Sequence, residues 1–158
     1  MTLRIDPAVP ADVPTVLSLI RELAEFEQLL DQVVATEAGV HDALFGPRPT
    51  AHAVVARDGD AVVGFALYFF NFSTFRGRPG LYLEDLYVRP AYRAHGHGKA
   101  LLKHLAKIAV DRGCGRMEWA VLDWNSNAIA FYESLGARPV DGWTVYRLTD
   151  EALLRTGS

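Results

Sequence analysis

Between residues 81 and 98 the chain passes from an apolar, β-prone run, Leu81–Val88, through a loop closed by Gly96 and Gly98 and straight into a helical pattern. In that pattern Leu101, Leu102, Leu105, Ile108 and Ala109 share one face, with Lys99, Lys103 and Lys107 on the other. A strand, a glycine loop and a helix in immediate succession demand a sheet and a helical layer over it. Glycines let the backbone approach a ligand, and the N–H groups of the first helical turn point outward at anions. A phosphate-bearing ligand is the expectation. Two familiar phosphate loops do not fit. A Walker A loop needs Gly at Arg93 and Ser or Thr at Ala100, and a dinucleotide fingerprint needs a third Gly at Leu101.

The flanking sequence supplies the rest of a mixed α/β domain spanning residues 1–158. Residues 3–6 read as a short strand. Asp12 is placed to cap a helix whose apolar positions are Val13, Val16, Leu17, Ile20, Leu23 and Ala24. Thr36 caps a shorter helix reaching about Leu44. Ala51–Arg57 and Ala61–Asn71, separated by Asp58-Gly59-Asp60, carry the strongest short hairpin signal. Phe72–Gly80 reads as a loop, and Gly113 ends the central helix in the left-handed conformation. Arg116–Leu122 is a further strand. Asn125 or Ser126 caps a helix running to about Leu135 and stopped by Gly136, and Ala137–Val140 with Trp143–Leu148 form a last hairpin. The predicted order is β-α-α-β-β-β-α-β-α-β-β, a mixed sheet with helices on both faces.

Composition narrows the classes of function. The chain has 158 residues, 50% apolar and 22% charged, as a single soluble domain requires. Its one cysteine, Cys114, excludes an internal disulfide. No signal peptide and no 18-residue apolar run is present, so a cytoplasmic protein without a membrane partner is expected. The net charge of −3 argues against a general nucleic-acid binder. The charge is unevenly spread. Residues 1–44 hold eight acids against Arg4 and Arg21, net −6, while residues 89–116 hold seven basic residues against Asp111, net +6. That pattern suits a protein that holds an anion at one end and meets a cation at the other. His95 and His97 make a poor metal pair without a third ligand, so no metal is expected. They read instead as loop residues over a phosphate. Cys114, in the electropositive turn Arg112–Arg116, has no base partner in the pattern and reads as structural.

Read together, Leu83-Glu84-Asp85-Leu86-Tyr87-Val88, the loop Arg93-Ala94-His95-Gly96-His97-Gly98-Lys99 and the segment Asn125–Gly136 resemble the GNAT superfamily of acyl-CoA-dependent N-acyltransferases. Ile20–Glu27, Tyr82–Leu86, Trp124-Asn125 and Gly142-Trp143 look like its diamine acetyltransferase branch, which includes enzymes acting on lysine analogues such as thialysine. The likeness covers nearly the whole chain. It departs from the branch's polyamine enzymes in having Phe26, not Tyr, before Glu27.

The resemblance implies a GNAT-like, mostly antiparallel sheet of roughly six to seven strands. It implies acetyl-CoA as co-substrate, a homodimer, and a small-molecule amine as acceptor. The pyrophosphate would lie on the loop from Arg93 to Lys99, and the backbone of Leu86, Tyr87 and Val88 would line the thioester end. Asn125, Ser126, Asn127 and Ala128 would contact the pantetheine arm, with Tyr132 near the sulfur. Phe26, Glu27, Glu84, Asp85 and Trp143 would surround the acceptor.

The chemistry assigns roles. A primary amine with pKa near ~10 must lose a proton before it attacks. Glu84, acting through a water, is the expected base. Asp85 points to the opposite face of a regular strand but not of a bulged one, as the family's is. The N–H groups of Leu86 and Val88 would polarise the thioester carbonyl, and Tyr132 would protonate the leaving thiolate. The acceptor expected from Glu27, Glu84, Asp85 and the acidic first 44 residues is a diamine or polyamine. A lysine-like amino acid or peptide amine is the alternative. A catalytically silent acyl-CoA-binding module is the rival class, for which loss of Tyr132 or Glu84 would have spoken.

Overall fold

The strand-period segments up to residue 119 come together as one five-stranded sheet in the computed structural model, which describes residues 2–158. The chain forms two compact units, Met1–Ala120 and Val121–Ser158, each described by itself. In the first unit β1 (Leu3–Pro7), β2 (His52–Asp58), β3 (Ala61–Ser73) and β4 (Arg78–Val88) pair antiparallel in sequence order, and β5 (Arg116–Trp119) joins β4 in parallel. β3 and β4 reach into the segment read as a loop, leaving a tight turn there.

Helices cover both faces. Alternate strand residues Ala53, Val55, Phe65 and Tyr87 form one core with α1 (Val13–Phe26) and α2 (Glu37–Phe45). Leu19, outside the predicted stripe, is fully buried, because α1 packs against α2 as well as the sheet. The opposite face, with Val54, Ala56, Leu81 and Leu83, takes Leu101, Leu102, Leu105 and Ala109 of α3 (His97–Asp111).

Local signals decide most boundaries. Thr36 Oγ1 accepts the Gly39 N–H at 3.1 Å and caps α2 as expected. Asp12 does not cap α1 with its side chain. Its carboxylate accepts the Val9 N–H at 2.9 Å and pairs with Arg57 at 2.7 Å, because a buried acid is better neutralised by a cation than by one amide. The helix α3 ends with Gly113 left-handed (φ 71°), the Gly113 N–H donating to Val110 and the Cys114 N–H to Ala109.

The second unit departs from expectation. It contains α4 (Ser126–Ser134), ended by left-handed Gly136 (φ 94°), and a further helix, α5 (Asp150–Thr156). Ala137–Val140 and Trp143–Leu148 are not strands. Val140, Trp143, Val145 and Tyr146 are 61–92% exposed, and a two-stranded ribbon without a sheet or helix beneath it is only marginally stable. The sheet therefore has five strands where about six to seven were expected. The missed α5 carries readable signals: Thr149 before it, Asp150 and Glu151 in its first turn and Arg155 in its last. No helix among the described residues is long and apolar enough to cross a membrane.

Candidate active site

A bulge shapes the centre of the site. Leu67 pairs with Asp85 and Tyr68 with Leu83, so Glu84 has no partner residue on β3. The bulge lifts exposed Glu84 out of the ladder and sets Asp85 on the α1 side, two residues before Tyr87. The Arg89 N–H donates to the Val63 carbonyl at 2.8 Å, which fixes the ladder's parity. By that parity the N–H of Tyr87 faces β3, whereas those of Leu86 and Val88 face the other edge. There β4 runs on past Leu83, the last residue it pairs with β5. Two backbone donors thus lie on a stretch of β4 edge that β5 does not pair.

Three carboxylates share this region. Burial pushes the Asp85 carboxyl up to about 6, and the charges of Glu84 and Glu27 push it the same way. Burial also raises Glu27. Glu27 is held at the end of α1 by a reversal in which Gln28 is left-handed (φ 62°), its N–H donating to Glu25 and that of Leu29 to Ala24. A carboxylate there also meets the negative end of the helix dipole. Among the described residues none of the three acids is ion-paired with a cation of the chain. What such a cluster lacks is a cation.

Beside it runs a groove of about 380 Å³ lined by Glu22, Glu25, Phe26, Tyr87, Pro90 and Arg93. Glu22 is neutralised by Arg89 at 3.0 Å, and Arg89 also donates to the Val62 carbonyl. Tyr87, buried, donates to Glu22 at 3.4 Å; burial first and then the Glu22 charge raise its phenol. Arg93 does not point over the glycine loop. Its Nε donates to the Val88 carbonyl at 2.8 Å, and its guanidinium carbon lies 5.0 Å from the Phe26 ring centre and 5.5 Å from that of Tyr87.

The loop itself has the backbone of an anion cradle. Ala94 and Gly96 are both left-handed (φ 67° and 80°), and the first intrahelical bond of α3 runs from the Ala100 N–H to the Gly96 carbonyl. The N–H groups of His97, Gly98 and Lys99 thus precede that bond. A Cβ on Gly96 would meet nothing within 4 Å, so the glycine answers to its φ and to open space in front of the helix. These features fit a pyrophosphate. Lys99 and His95 are exposed at the loop, but His97 is not a side chain over it: it is 6% exposed, with Nε2 buried and unpaired among the described residues. Only its backbone N–H is offered to an anion.

In the second unit Asn125 caps α4 by accepting the Ala128 N–H at 3.3 Å, so this oxygen serves the helix. Ser126 and Asn127 open the helix, and Tyr132 is half-buried on it with its ring 5.6 Å from that of Phe131. Trp143, expected beside the acceptor, is 78% exposed in its own unit. Cys114 sits in the reversal that ends α3. Sequence reasoning missed the groove: Glu25, Tyr87 as a side chain, Pro90 and the turn of Arg93 toward α1. The aromatic residues Phe26 and Tyr87 at the ends of two acidic motifs were the available signal.

Comparison with known proteins matches residues 18–137 to the model of the acetyltransferase (GNAT) family. Among its relatives is the thialysine N-epsilon-acetyltransferase of Bos taurus, 42% identical, with 92% of each chain covered. The L-ornithine N5-acetyltransferase of Arabidopsis thaliana is 37% identical, covering 95% of this chain and 86% of the relative. An integron cassette protein from the mobile metagenome of V. cholerae superposes with a TM-score of 0.83 at 27% identity, covering 99% of this chain and 98% of its own.

Proposed function

Since the chain belongs to the GNAT acetyltransferase family and is an acetyl-transferring enzyme, we propose that it moves an acetyl group from acetyl-CoA to the terminal primary amine of a small acceptor that bears two amino groups. The observation that carries the acceptor class is the cluster of Glu27, Glu84 and Asp85, unpaired with any cation among the described residues. Asp85 and Glu27, removed from water without a cation, cost stability, and an ammonium group relieves that cost.

The backbone from Ala94 to Lys99 holds the pyrophosphate, with the dipole of α3 aligned to it. Acetyl-CoA supplies the activated acyl group. The N–H groups of Leu86 and Val88 polarise its carbonyl from the edge of β4 that β5 leaves unpaired. Asp85 and Glu27 hold the ammonium group, and Glu84, exposed on its bulge, accepts the amine's proton through a water. Tyr132 returns a proton to the leaving sulfur, and Asn125–Ala128 flank the pantetheine arm; support for these roles comes from the motif in α4. The family match at 18–137 runs through both units and supports reading them as one acetyltransferase domain.

Two acceptor classes satisfy the charge requirement, diamines and diamino acids. The second is favoured by relatives named for thialysine and ornithine. The test is acetyl-CoA turnover with thialysine, ornithine, lysine, putrescine, spermidine and butylamine. Acceptors with two amino groups should lead, and a best rate with butylamine overturns the acceptor class.

A further inference from the structure

Arg93 belongs to the glycine loop but turns away from it. Its Nε donates at 2.8 Å to the carbonyl of Val88, the last residue of β4, and its guanidinium lies over the rings of Phe26 and Tyr87. The group is thereby fixed between the end of β4 and the end of α1. One helical turn before Phe26, Glu22 is held by Arg89 at 3.0 Å and by the Tyr87 hydroxyl at 3.4 Å. Glu22 and Phe26, four residues apart, share a face of α1, and Arg89 and Arg93 both follow the end of β4. Two arginines thus fasten two successive points of that face to one strand end.

The fastening has a force to resist. Phe26 is the last residue of α1 and Glu27 caps it. The charges of Glu27 and Glu84 both bear on Asp85, and none of the three is ion-paired among the described residues. The acids carried by α1 and β4 therefore repel one another. Past Phe26 the chain reverses at once through left-handed Gln28 (φ 62°), whose N–H donates to Glu25 while that of Leu29 donates to Ala24. Those bonds stay within α1, whereas the contact of Phe26 with Arg93 reaches across to the end of β4. We propose that Arg93 is a positioning residue for the acceptor site, bracing Phe26 against the end of β4 and so holding Glu27 toward Asp85. In this role it touches neither the acceptor nor the pyrophosphate. The proposal rests on the reading of Glu27 and Asp85 as holders of the ammonium group.

Kinetics with putrescine and ornithine, beside calorimetry with coenzyme A, test this on the full chain. Arg93→Met should raise the KM of both acceptors about threefold to tenfold, lower kcat less, and leave coenzyme A affinity unchanged. Arg93→Lys should keep part of the wild-type KM, since a cation still meets the ring. Phe26→Leu should reproduce the rise in KM, and Phe26→Tyr, which retains a ring, should not. The effects should not add. In Phe26→Leu or Glu27→Gln, Arg93→Met should raise KM little further, because the strut or the charge it places is already gone. Coenzyme A binding that weakens in step with KM overturns the proposal, since Arg93 would then serve the cofactor. Additive effects overturn it too. So does a wild-type KM in Phe26→Leu, which decides the matter even where the Arg93 variants fail to fold. These outcomes leave Glu27 as a holder of the ammonium group. An unchanged KM in Glu27→Gln, or a wild-type enzyme that acetylates neither acceptor, removes that reading and this proposal with it.

Discussion

At the scale of single residues, Asp85 carries the clearest cost and the clearest use. Its carboxyl titrates at about 6 because burial and two neighbouring acids oppose its charge. An unfolded Asp titrates near ~3.9, so between those values the folded chain binds the extra proton. Asp85 thus favours folding below about pH 4, and that contribution is lost as pH rises through about 6. Asp85→Asn should be the more stable protein at pH 7, by on the order of 2 kcal/mol, and should match the wild type at pH 4. Denaturant melts at the two pH values measure this; a variant equally stable at both contradicts the buried-acid picture. The same substitution should raise the acceptor KM and remove a fall in kcat/KM below about pH 6, where the wild-type Asp85 becomes protonated and releases the ammonium. The sequence shows both acids but not which one is buried, because the bulge at Glu84 comes from the register of β3 against β4. Here the family resemblance implied what spacing alone left open. Arg93 is a harder case. Its place in the loop is plain, but its direction is set by Phe26, far off in sequence, and by Tyr87.

Among the elements, the five strands of the sheet and the helix ends marked by glycine were readable, whereas the end of α1, the fate of Trp143–Leu148 and the existence of α5 were not. α3 and α4 end where Gly113 and Gly136 stand, since glycine takes the left-handed turn without strain. α1 ends by the same reversal at Gln28, and nothing in a glutamine announces it. Trp143–Leu148 has strand periodicity and an Asp-Gly turn before it, yet a strand exists only against another, and no sequence pattern supplies one. The glycine loop joins local and functional demands, so it supports a sharp expectation. Gly96→Val places a β-branched residue at φ 80°, strained by roughly 1–2 kcal/mol, with its side chain in the open space before α3. The variant should stay folded, because no core residue touches that space, while coenzyme A affinity drops by about tenfold or more. Calorimetry on a variant with a normal melting profile decides it, and undiminished affinity would remove the pyrophosphate from this loop.

For the molecule as a whole, the division of charge acquires a meaning that composition alone could not give it. The acidic residues 1–44 include the end of α1 and the groove wall, and the basic residues 89–116 include the loop and α3. Both lie in the first unit, and on the proposed function that one scaffold would offer opposite fields to opposite ligands, a polyanionic cofactor at the α3 end and an ammonium acceptor at the α1 end. Fields of this kind raise the local concentration of the oppositely charged partner and fade with salt, the screening length falling from about 10 Å at 0.1 M to about 3 Å at 1 M. Putrescine should therefore exceed butylamine, a chain of equal carbon number with one charge fewer, in kcat/KM at low ionic strength. The gap should narrow steadily as potassium chloride is added. Glu27→Gln should raise the putrescine KM more than it lowers kcat, since a charge that holds ground state and transition state alike contributes uniform binding. The salt titration separates field from fit: a long-range field is screened, whereas a methylene-length preference set by the apolar wall of Phe26 is not. A putrescine advantage that persists unchanged to 1 M salt would place selectivity in close contact alone and deprive the acidic half of its steering role.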